Sequence, residues 1–238
     1  MRNRALITGA SRGLGLALAR ALVTDGWELV IDARGENDLR ATAAELDRLA
    51  PVHAVSGDIA DERHRRDLVD TVDAFGGEID LLVHNASLLG PSPQPSLADY
   101  PIDVLERVYD ANVFAPLRLT QLLLPRMAPD ARIISITSDA AVEPYEGWGG
   151  YGSSKAALEQ WTKVLAAEHP ALRVYVVDPG DMRTQMHQDA FPGEDISDRP
   201  PPEASIPGLL TVIEGDLPSG RYEARRLAPA DVSATAAS

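Results

Sequence analysis

Cysteine is absent from the 238-residue sequence. Disulfide bonds, a nucleophilic thiolate and thiolate ligands for zinc are therefore excluded. The five histidines do not have the spacing of metal ligands. No apolar run approaches the roughly 18 residues that suggest a membrane span, and the first residues lead into a strand pattern rather than a signal peptide. We therefore predict a cytoplasmic protein that binds no metal and contacts no membrane.

Lysine is also scarce, because only two of the 22 basic residues are lysines, Lys155 and Lys163. Acidic residues number 36, and the net charge is −14. A surface with this charge repels phosphate backbones, so we predict no nucleic-acid partner. In a chain that otherwise uses arginine, a lysine at position 155 indicates a place where a compact ammonium is needed.

Short apolar strand patterns alternate with helix patterns along the chain. This alternation predicts a single α/β domain over residues 1–227, with a doubly wound, mostly parallel, seven-stranded sheet. Residues 181–202 are rich in Asp, Pro, Met and Gly, and we predict a substrate loop or lid within residues 181–214. Residues 228–238 have little to bury and are predicted to be a disordered tail.

A glycine-rich loop follows the first strand pattern and precedes an apolar helix pattern. Glycines let the backbone approach a pyrophosphate closely, and the helix N-terminus offers amide donors to the same anion. The spacing is G-x-x-x-G-x-G rather than the commoner G-x-G-x-x-G. The loop contains the following candidate dinucleotide-binding residues: Gly9, Ser11, Arg12, Gly13, Leu14 and Gly15.

Tyr151 and Lys155 are four residues apart within a helix pattern, which places both side chains on one face. An ammonium beside a phenol stabilises the phenolate, so we expect the pKa of Tyr151 to fall from its usual value of about 10. Ser138 follows an apolar strand pattern and could reach the same place. Asn112 lies among apolar helix residues, where its buried amide needs a partner. On its own, this spacing of tyrosine and lysine also occurs on solvated helix faces.

Taken together, these elements resemble the short-chain dehydrogenase/reductase family. The resemblance implies a Rossmann-like domain, a nicotinamide cofactor and a tetrad of Asn112, Ser138, Tyr151 and Lys155. In this scheme Tyr151 exchanges a proton with the substrate oxygen, Lys155 lowers the pKa of Tyr151 and binds the nicotinamide ribose, and Ser138 positions the reacting oxygen. Asn112 holds a water molecule that links Lys155 to solvent. The matching segments are Thr8 to Gly15, Asp58-Ile59, Asn85-Ala86, Asn112, Ser138, Tyr151 to Lys155, Pro179-Gly180 and Thr184.

The same resemblance implies the rest of the cofactor site. Asp58 and Ile59 flank the adenine, and Asn85 with Ala86 passes beneath its ribose. The residues that line the nicotinamide are Pro179, Gly180, Met182 and Thr184, the last of which binds the carboxamide. The chain also departs from the family pattern: Ser87 stands where glycine is usual, and Asp178 where asparagine is usual. The final strand lacks the usual ending, which puts the usual C-terminal subunit contact in doubt.

Two residues at the end of the second strand compete to select the cofactor. A carboxylate at this position favours the free 2′-hydroxyl of NAD(H), and a guanidinium favours the 2′-phosphate of NADP(H). Arg34 occupies the position where NADP-preferring members often carry a basic residue, and Arg12 could add a second cation. Asp32 is the opposing candidate. Side chains alternate along a strand, however, so Asp32 and Ala33 point to opposite faces of the sheet. We predict NADP(H), with NAD(H) as the alternative.

The predicted function is hydride transfer between NADP(H) and a carbonyl/alcohol pair, with a medium-sized, partly hydrophobic ketone or aldehyde as substrate. The alternatives are an NAD-dependent alcohol dehydrogenase, a catalytically silent dinucleotide sensor or scaffold, and an isomerase or dehydratase. The candidate pocket residues, some of which could instead be ordinary core packing, are Leu88, Leu89, Tyr145, Trp148, Met182, Met186 and Phe191.

The predicted assembly is a homodimer or homotetramer. In the family, the helical region over residues 99–127 and the helix that carries Tyr151 usually pair with their two-fold mates. The apolar residues that we expect on their outer faces are Leu105, Val108, Leu119, Leu122, Ala157, Trp161 and Val164.

Overall fold

The computed structural model describes residues 2–227, so the predicted disordered tail lies outside the described residues. The strands are β1 (Arg4–Ile7), β2 (Glu28–Ala33), β3 (Val52–Ser56), β4 (Ile79–His84), β5 (Met127–Ile136), β6 (Arg173–Asp178) and β7 (Gly220–Glu223). The α-helices are α1 (Gly13–Thr24), α2 (Glu36–Leu46), α3 (Glu62–Ala74), α4 (Ile102–Tyr109), α5 (Ala115–Leu123), α6 (Gly149–Glu168), α7 (Gln185–Ala190) and α8 (Ile206–Glu214).

The seven strands form one sheet in the order β3-β2-β1-β4-β5-β6-β7. Every neighbouring pair is parallel, which confirms the predicted seven-stranded, doubly wound α/β fold. The chain runs outward from β1 to β3, returns to β4 beside β1, and continues outward to β7. The strand order therefore reverses between β1 and β4, and in such sheets a ligand binds outside the carboxyl ends of the strands at this point.

The central strands are apolar along their whole length because both faces of the sheet are covered. In β1, Leu6 packs in one core cluster, and its neighbours Ala5 and Ile7 pack in the other. The cluster of Ala5 and Ile7 is completed by residues of α1, α2 and α8. The cluster of Leu6 is completed by α3, α5 and α6. Two continuous cores thus hold the sheet rigid and fix the positions of the loops at its carboxyl edge.

The helical region over residues 99–127 is interrupted a short distance before Pro116. A π-helical turn over Asp110–Phe114 separates α4 from α5, and Asn112 lies inside it. Pro116 has no N–H, so the carbonyl of Asn112 lacks the usual donor four residues later. Single π-turns inside helices are frequent at functional sites.

Two residues expected on the outer faces of these helices are in the core instead. Val108 and Leu119 are both 0% exposed. Apolar residues that do face outward on this side include Ile102, Phe114 and Val164, which are 66%, 43% and 45% exposed. The apolar pattern of a helix does not reveal whether a residue faces its own sheet or a neighbouring surface, and this explains the wrong assignment of Val108 and Leu119.

The region predicted as a substrate loop or lid has two parts in the structure. Residues 181–201 cross the carboxyl edge of the sheet and include the short helix α7. Helix α8 belongs to the core, since Leu209 and Val212 are both 0% exposed and Ile213 is 1% exposed. Gly208 allows this packing, because a Cβ atom there would collide with the carbonyl of Ala224. Only the first part lies over the cleft described below.

Candidate active site

A cleft of about 1370 Å³ runs along the carboxyl edge of the sheet. It brings together nearly all the residues that the sequence singled out, from the glycine loop at one end to the substrate-pocket residues at the other. Gly15 and Asn112 do not line the cleft and instead support residues that do. Among residues 2–227, no group of three potential metal-ligating side chains converges, and no helix is long and apolar enough to cross a membrane.

The glycine loop is shaped by close backbone contacts. Gly9 has φ +68°, and a Cβ atom on it would lie 2.9 Å from the Cα of Ala86. A Cβ atom on Gly15 would collide with the carbonyl of Gly9. Helix α1 begins at Gly13 with no acidic residue in its first turn, so its free amides face the cleft without a competing carboxylate. This end of the cleft can bind a pyrophosphate.

Asn85 and Thr8 connect the two strands at which the strand order reverses. The Asn85 amide donates to the carbonyls of Thr8, at 2.8 Å, and of Gly9, at 3.0 Å. The Thr8 hydroxyl accepts from the backbone N–H groups of Asn85 and Ala86, both at 3.0 Å. Asn85 therefore fixes the shape of the glycine loop.

Asp32 lies beneath the glycine loop and is 1% exposed. Its carboxylate accepts the backbone N–H of Gly9 at 2.7 Å and faces Nε2 of His64 at 2.9 Å. Burial raises the pKa of Asp32, although the hydrogen bonds from His64 and Gly9 oppose this shift. This buried position, with the carboxylate bonded to Gly9 and His64, conflicts with the alternative in which Asp32 binds the cofactor ribose. Sequence reasoning missed His64, which comes from α3, because nothing in the sequence connects it with Asp32.

Two guanidinium groups lie free at this end of the cleft. Arg12 and Arg34 both line it and are exposed, and within residues 2–227 neither has an ion-pair partner. Asp58 and Ile59 line the cleft nearby, and one Asp58 oxygen accepts the N–H of Ala60 at 2.9 Å. The two arginines can bind an anion at this end of the cleft, where the Asp32 carboxylate is engaged by Gly9 and His64.

The loop after β6 forms the opposite wall. Asp178 accepts the N–H of Gly180 at 2.8 Å and pairs with Arg221 at 3.2 Å, and burial raises the pKa of this carboxyl. The Ser205 hydroxyl donates to the Pro179 carbonyl at 2.7 Å. These contacts hold Pro179 and Gly180 against the sheet. Sequence reasoning missed Ser205 and Arg221, since both come from distant segments.

Thr184 and Met182 continue this wall toward the lid. The Thr184 hydroxyl accepts the N–H of His187 at 3.3 Å and so caps α7. Its hydrogen is left to donate elsewhere, so the cap is compatible with the carboxamide contact that the family resemblance implies. Met182 lines the cleft beside it.

Tyr151 and Lys155 lie on one face of α6, as their spacing predicted. Both are buried, at 7% and 2% exposure. The Lys155 ammonium donates to the Ile136 carbonyl at 2.8 Å and lies 5.5 Å from the centre of the Tyr151 ring. Burial lowers the pKa of Lys155 to about 8.

The expected fall in the pKa of Tyr151 is not what the structure shows. Burial raises the pKa of Tyr151 well above its ordinary value, and the carboxylates of Asp178 and Asp139 raise it further. A hydrogen bond with Ser87 acts in the opposite direction. The phenol is therefore protonated at neutral pH, which is the form that donates a proton.

Ser138 lies at the rim of the same cleft. Its hydroxyl donates to Oδ1 of Asp139 at 2.9 Å, and its oxygen accepts the N–H of Ala140 at 3.2 Å. The other Asp139 oxygen accepts the Tyr145 hydroxyl at 3.0 Å. Ser138 must turn its hydrogen away from Asp139 before it can donate to a substrate oxygen. Sequence reasoning did not include Asp139, although it is the next residue in the chain.

Asn112 lies behind the cleft and is 1% exposed. Its carbonyl oxygen accepts from the Ser87 hydroxyl at 3.1 Å and the Leu88 N–H at 2.7 Å. Its amide nitrogen donates to the Leu88 carbonyl at 2.9 Å and the Ser154 hydroxyl at 3.0 Å. A side-chain amide has two donor hydrogens and two acceptor lone pairs, so these four bonds use its full capacity. The side chain therefore orients the protein groups around it.

The remaining wall of the cleft is apolar and aromatic. The Trp148 ring lies 5.9 Å from that of Tyr151 and 5.8 Å from that of Phe191. Tyr145 is 47% exposed at the rim. His187 of α7, which sequence reasoning missed, lies 4.9 Å from Phe191 and also lines the cleft. The other predicted pocket residues that line this wall are Leu88, Leu89 and Met186.

Comparison with known proteins agrees with this geometry. The family model described as short chain dehydrogenase matches residues 3–195. A benzil reductase ((S)-benzoin forming) of Saccharomyces cerevisiae is 35% identical over 193 residues, which are 77% of this chain and 73% of the relative. A rhamnolipids biosynthesis 3-oxoacyl-[acyl-carrier-protein] reductase of Pseudomonas aeruginosa is 30% identical over 227 residues, which are 92% of this chain and 82% of the relative.

A crystal structure of a short-chain dehydrogenase from Escherichia coli complexed with NADPH has the same fold. It superposes with a TM-score of 0.85 at 28% identity, and the match covers 94% of this chain and 96% of that one. The family match covers most of the chain and includes the glycine loop, Asn112, Ser138, Tyr151 and Lys155. The chain therefore belongs to the short-chain dehydrogenase family.

Proposed function

We propose that this protein is a carbonyl reductase that transfers hydride from NADPH to a medium-sized, partly hydrophobic ketone or aldehyde. The observation that carries the proposal is the position of Tyr151, which is protonated and lies in the same cleft as the glycine loop. A proton donor and a dinucleotide cradle in one cleft are the two requirements of carbonyl reduction.

The shape of the glycine loop suits a nicotinamide dinucleotide. Side chains at Gly9 and Gly15 would collide with neighbouring backbone, so these glycines let the loop fold tightly at the start of α1, where the free amides lie. Gly9, Ser11, Gly13 and Leu14 would bind the pyrophosphate there. The nicotinamide end would contact Pro179, Gly180, Met182 and Thr184. When bound, the cofactor supplies or accepts the hydride.

The residues around Tyr151 define the proton chemistry. Tyr151 donates its phenolic proton to the substrate oxygen as the carbonyl becomes an alcohol. The Lys155 ammonium, 5.5 Å from the ring centre, stabilises the phenolate that remains. Ser138 donates a hydrogen bond to the same substrate oxygen once its hydroxyl turns from Asp139. Asn112 holds Ser87 and Leu88 in place beside this group.

Arg12 and Arg34 favour NADP(H) over NAD(H). Neither forms an ion pair within the described part of the chain, and the competing carboxylate of Asp32 is engaged by Gly9 and His64. The related structure complexed with NADPH supports the same choice. An NAD-dependent alcohol dehydrogenase is the alternative, and the nearby carboxylate of Asp38, which also lines the cleft, is the observation in its favour.

The aromatic wall formed by Trp148 and Phe191 suits a partly hydrophobic substrate. The two curated relatives described above are named as reductases of a diketone and of 3-oxoacyl groups, which supports a carbonyl substrate here. A cytoplasmic location remains a prediction from the composition.

We expect the purified protein to oxidise NADPH when it is mixed with aryl ketones, diketones or aliphatic aldehydes. The measurement is the loss of NADPH absorbance across a panel of such compounds, with product identified by mass spectrometry. Tight NADPH binding without oxidation by any compound would instead indicate a dinucleotide sensor or scaffold. Product formation without net consumption of cofactor would indicate an isomerase or dehydratase.

We also propose that the protein is a dimer or tetramer. The outer surface of α5, α6 and the π-turn carries Phe114, Val164 and the half-buried Trp161. This surface is more apolar than contact with solvent requires. Light scattering at micromolar concentration is expected to give at least twice the chain mass. The double variant Phe114→Glu/Val164→Glu should reduce this mass, and Leu49→Glu, at a still more exposed apolar site elsewhere, should not. A monomeric wild-type protein would contradict the proposal.

A further inference from the structure

A buried carboxylate on α6 has no part in the proposed reaction. Glu159 is 3% exposed, does not line the cleft and follows Lys155 by one turn of the helix. Its Oε1 accepts the Thr137 hydroxyl at 2.9 Å and Nε of Arg221 at 3.0 Å. Its Oε2 accepts the Lys163 ammonium at 3.0 Å. Both oxygens of this buried carboxylate are therefore paired, as a buried charge requires.

Arg221 extends this cluster to the loop after β6. Its Nη2 donates to Oδ2 of Asp178 at 3.2 Å, while its Nε donates to Glu159. The other Asp178 oxygen accepts the Gly180 N–H at 2.8 Å. A guanidinium is planar and its donors have fixed directions, so it sets the positions of the two carboxylates relative to each other. One side chain of β7 thus bridges α6 and the loop proposed to contact the nicotinamide.

The charges of this cluster balance, but they are unequally shared. Lys163 and Arg221 supply two positive charges, and Glu159 and Asp178 supply two negative ones. Glu159 would keep Lys163 if Arg221 were removed. Asp178 is 6% exposed, and within residues 2–227 its ion pair with Arg221 is the only one it forms. The carboxylate at the cleft therefore depends on a single cation.

This ion pair also joins two departures from the family pattern. Asp178 stands where asparagine is usual, and Arg221 lies in the final strand, which lacks the usual ending. An asparagine at position 178 would accept the Gly180 N–H without needing a cation. The carboxylate needs one, and β7 supplies it. The two departures thus compensate each other.

We propose that Arg221 is a positioning residue for the nicotinamide end of the cleft. It holds the loop after β6, through Asp178, at a fixed place relative to the helix that carries Tyr151. This inference rests on the proposed function, in which a nicotinamide cofactor lies against this loop. Hydride transfer depends on the placement of the reacting groups to within about 1 Å. The bridge through Arg221 connects the cofactor wall directly with the helix of the proton donor.

A further contact keeps the loop folded when Arg221 is absent. The Ser205 hydroxyl donates to the Pro179 carbonyl at 2.7 Å, and Ser205 is itself 0% exposed. A substitution at position 221 therefore changes the charge and placement of the loop without removing it. It leaves the Asp178 carboxylate buried without a cation, which is the unfavourable state of a broken buried pair.

The first test measures binding and needs no turnover. Its two ligands are NADPH and adenosine 2′,5′-bisphosphate, which carries only the adenosine end of the cofactor. Arg221→Met should weaken NADPH binding about tenfold and leave binding of the bisphosphate unchanged, because the bridge lies at the other end of the cleft. Arg173→Met is the matched control, since Arg173 pairs with Asp216 at the amino end of β6, and neither ligand should bind differently to it. Equal losses for both ligands in Arg221→Met, or no loss at all, would overturn the inference.

The second test asks whether the unpaired charge of Asp178 causes the loss. Asp178→Asn keeps an oxygen for the Gly180 N–H and removes the need for a cation. We expect Arg221→Met/Asp178→Asn to recover most of the NADPH affinity that Arg221→Met loses. Arg221→Lys, which retains a positive charge, should lose less affinity than Arg221→Met. A general packing role for Arg221 would give no recovery in the double variant, and that result would also overturn the inference.

The dependence of NADPH binding on pH provides a third readout. Burial raises the pKa of Asp178, and Asp139 after β5 raises it further, while the Gly180 N–H and Arg221 of β7 oppose the shift. Tyr151 of α6 is the other titratable group that interacts with this carboxyl. Without Arg221 the pKa of Asp178 should be higher still, so acidification should protonate this carboxyl and remove its unpaired charge.

Calorimetric titrations of NADPH at several pH values would detect this effect. The affinity of Arg221→Met, taken relative to the wild type at the same pH, should recover as the pH falls, whereas the double variant should show no such trend. A loss that is the same at every pH would contradict the role assigned to Asp178. A wild type that binds NADPH but reduces no carbonyl would contradict the proposed reduction, and these binding measurements would still test Arg221.

Discussion

Replacing Tyr151 with phenylalanine is expected to lower carbonyl reduction at least about a hundredfold, the scale of lost general acid catalysis. The substitution removes the phenolic proton and keeps the ring, so the 5.9 Å contact with Trp148 remains. NADPH affinity should be almost unchanged, because the groups proposed to bind the pyrophosphate lie at the other end of the cleft. Steady-state kinetics and a fluorescence titration of NADPH would measure the two effects separately.

A second buried tyrosine provides the matched control. Tyr100 packs against Gly150 at the start of the same helix, and within the described residues its hydroxyl has no hydrogen-bond partner. Tyr100→Phe therefore removes a hydroxyl of equal size without removing a proposed proton donor, and activity should be kept. Near-normal reduction by Tyr151→Phe would overturn the catalytic assignment. Comparable losses in both variants would indicate a packing effect on α6.

The raised pKa of Tyr151 bears on which reaction, reduction or oxidation, the phenol can assist at neutral pH. At neutral pH the phenol is protonated, so it can donate immediately in the reduction. For oxidation the same group must first lose its proton, and this requires alkaline pH or a neighbouring cation. Lys155 is the cation at hand, and its own pKa of about 8 means that it stays largely protonated at neutral pH. At neutral pH, Tyr151 is therefore in the protonation state that carbonyl reduction requires.

The fold was predictable from sequence because its signals are local. The apolar strands, the glycine loop and the pairing of Tyr151 with Lys155 depend on spacings of a few residues. Parallel strands then place their carboxyl ends at one edge, which is why separate motifs meet in one cleft. The outward assignment of Val108 and Leu119 failed because a helix pattern does not show what the helix packs against.

The supporting contacts of the site were not predictable in the same way. The bond between Asp32 and His64 joins residues 32 positions apart, and that between Arg221 and Asp178 joins residues 43 apart. Tertiary packing creates such pairs, and neither partner carries a local signal for the other. The raised pKa of Tyr151 is a further case, since it depends on burial rather than on the nearby lysine that the sequence shows.

Arg34→Ala is expected to weaken NADPH binding roughly ten- to thirtyfold and to leave NADH binding nearly unchanged. A charge-assisted hydrogen bond contributes about 1.5–3 kcal/mol, and solvent exposure reduces this at an open site. The Arg34 side chain is exposed at the cleft and free of any ion pair within residues 2–227, so its charge is available to a 2′-phosphate. Calorimetric titration of both cofactors into wild type and variant would measure the change.

Comparing the loss of NADPH affinity among variants identifies the side chain that distinguishes NADPH from NADH. Arg12→Ala should weaken NADPH binding in the same direction, and the double variant should bind NADPH and NADH with similar affinity. Arg40→Ala is the control, because Arg40 is paired with Glu36 on α2 and does not line the cleft. If the wild type binds NADH more tightly than NADPH, the NADP(H) assignment fails. Asp32 would still not become the reader, since its carboxylate is 1% exposed and held by Gly9 and His64, and the ribose hydroxyls would then be bound by Asp38.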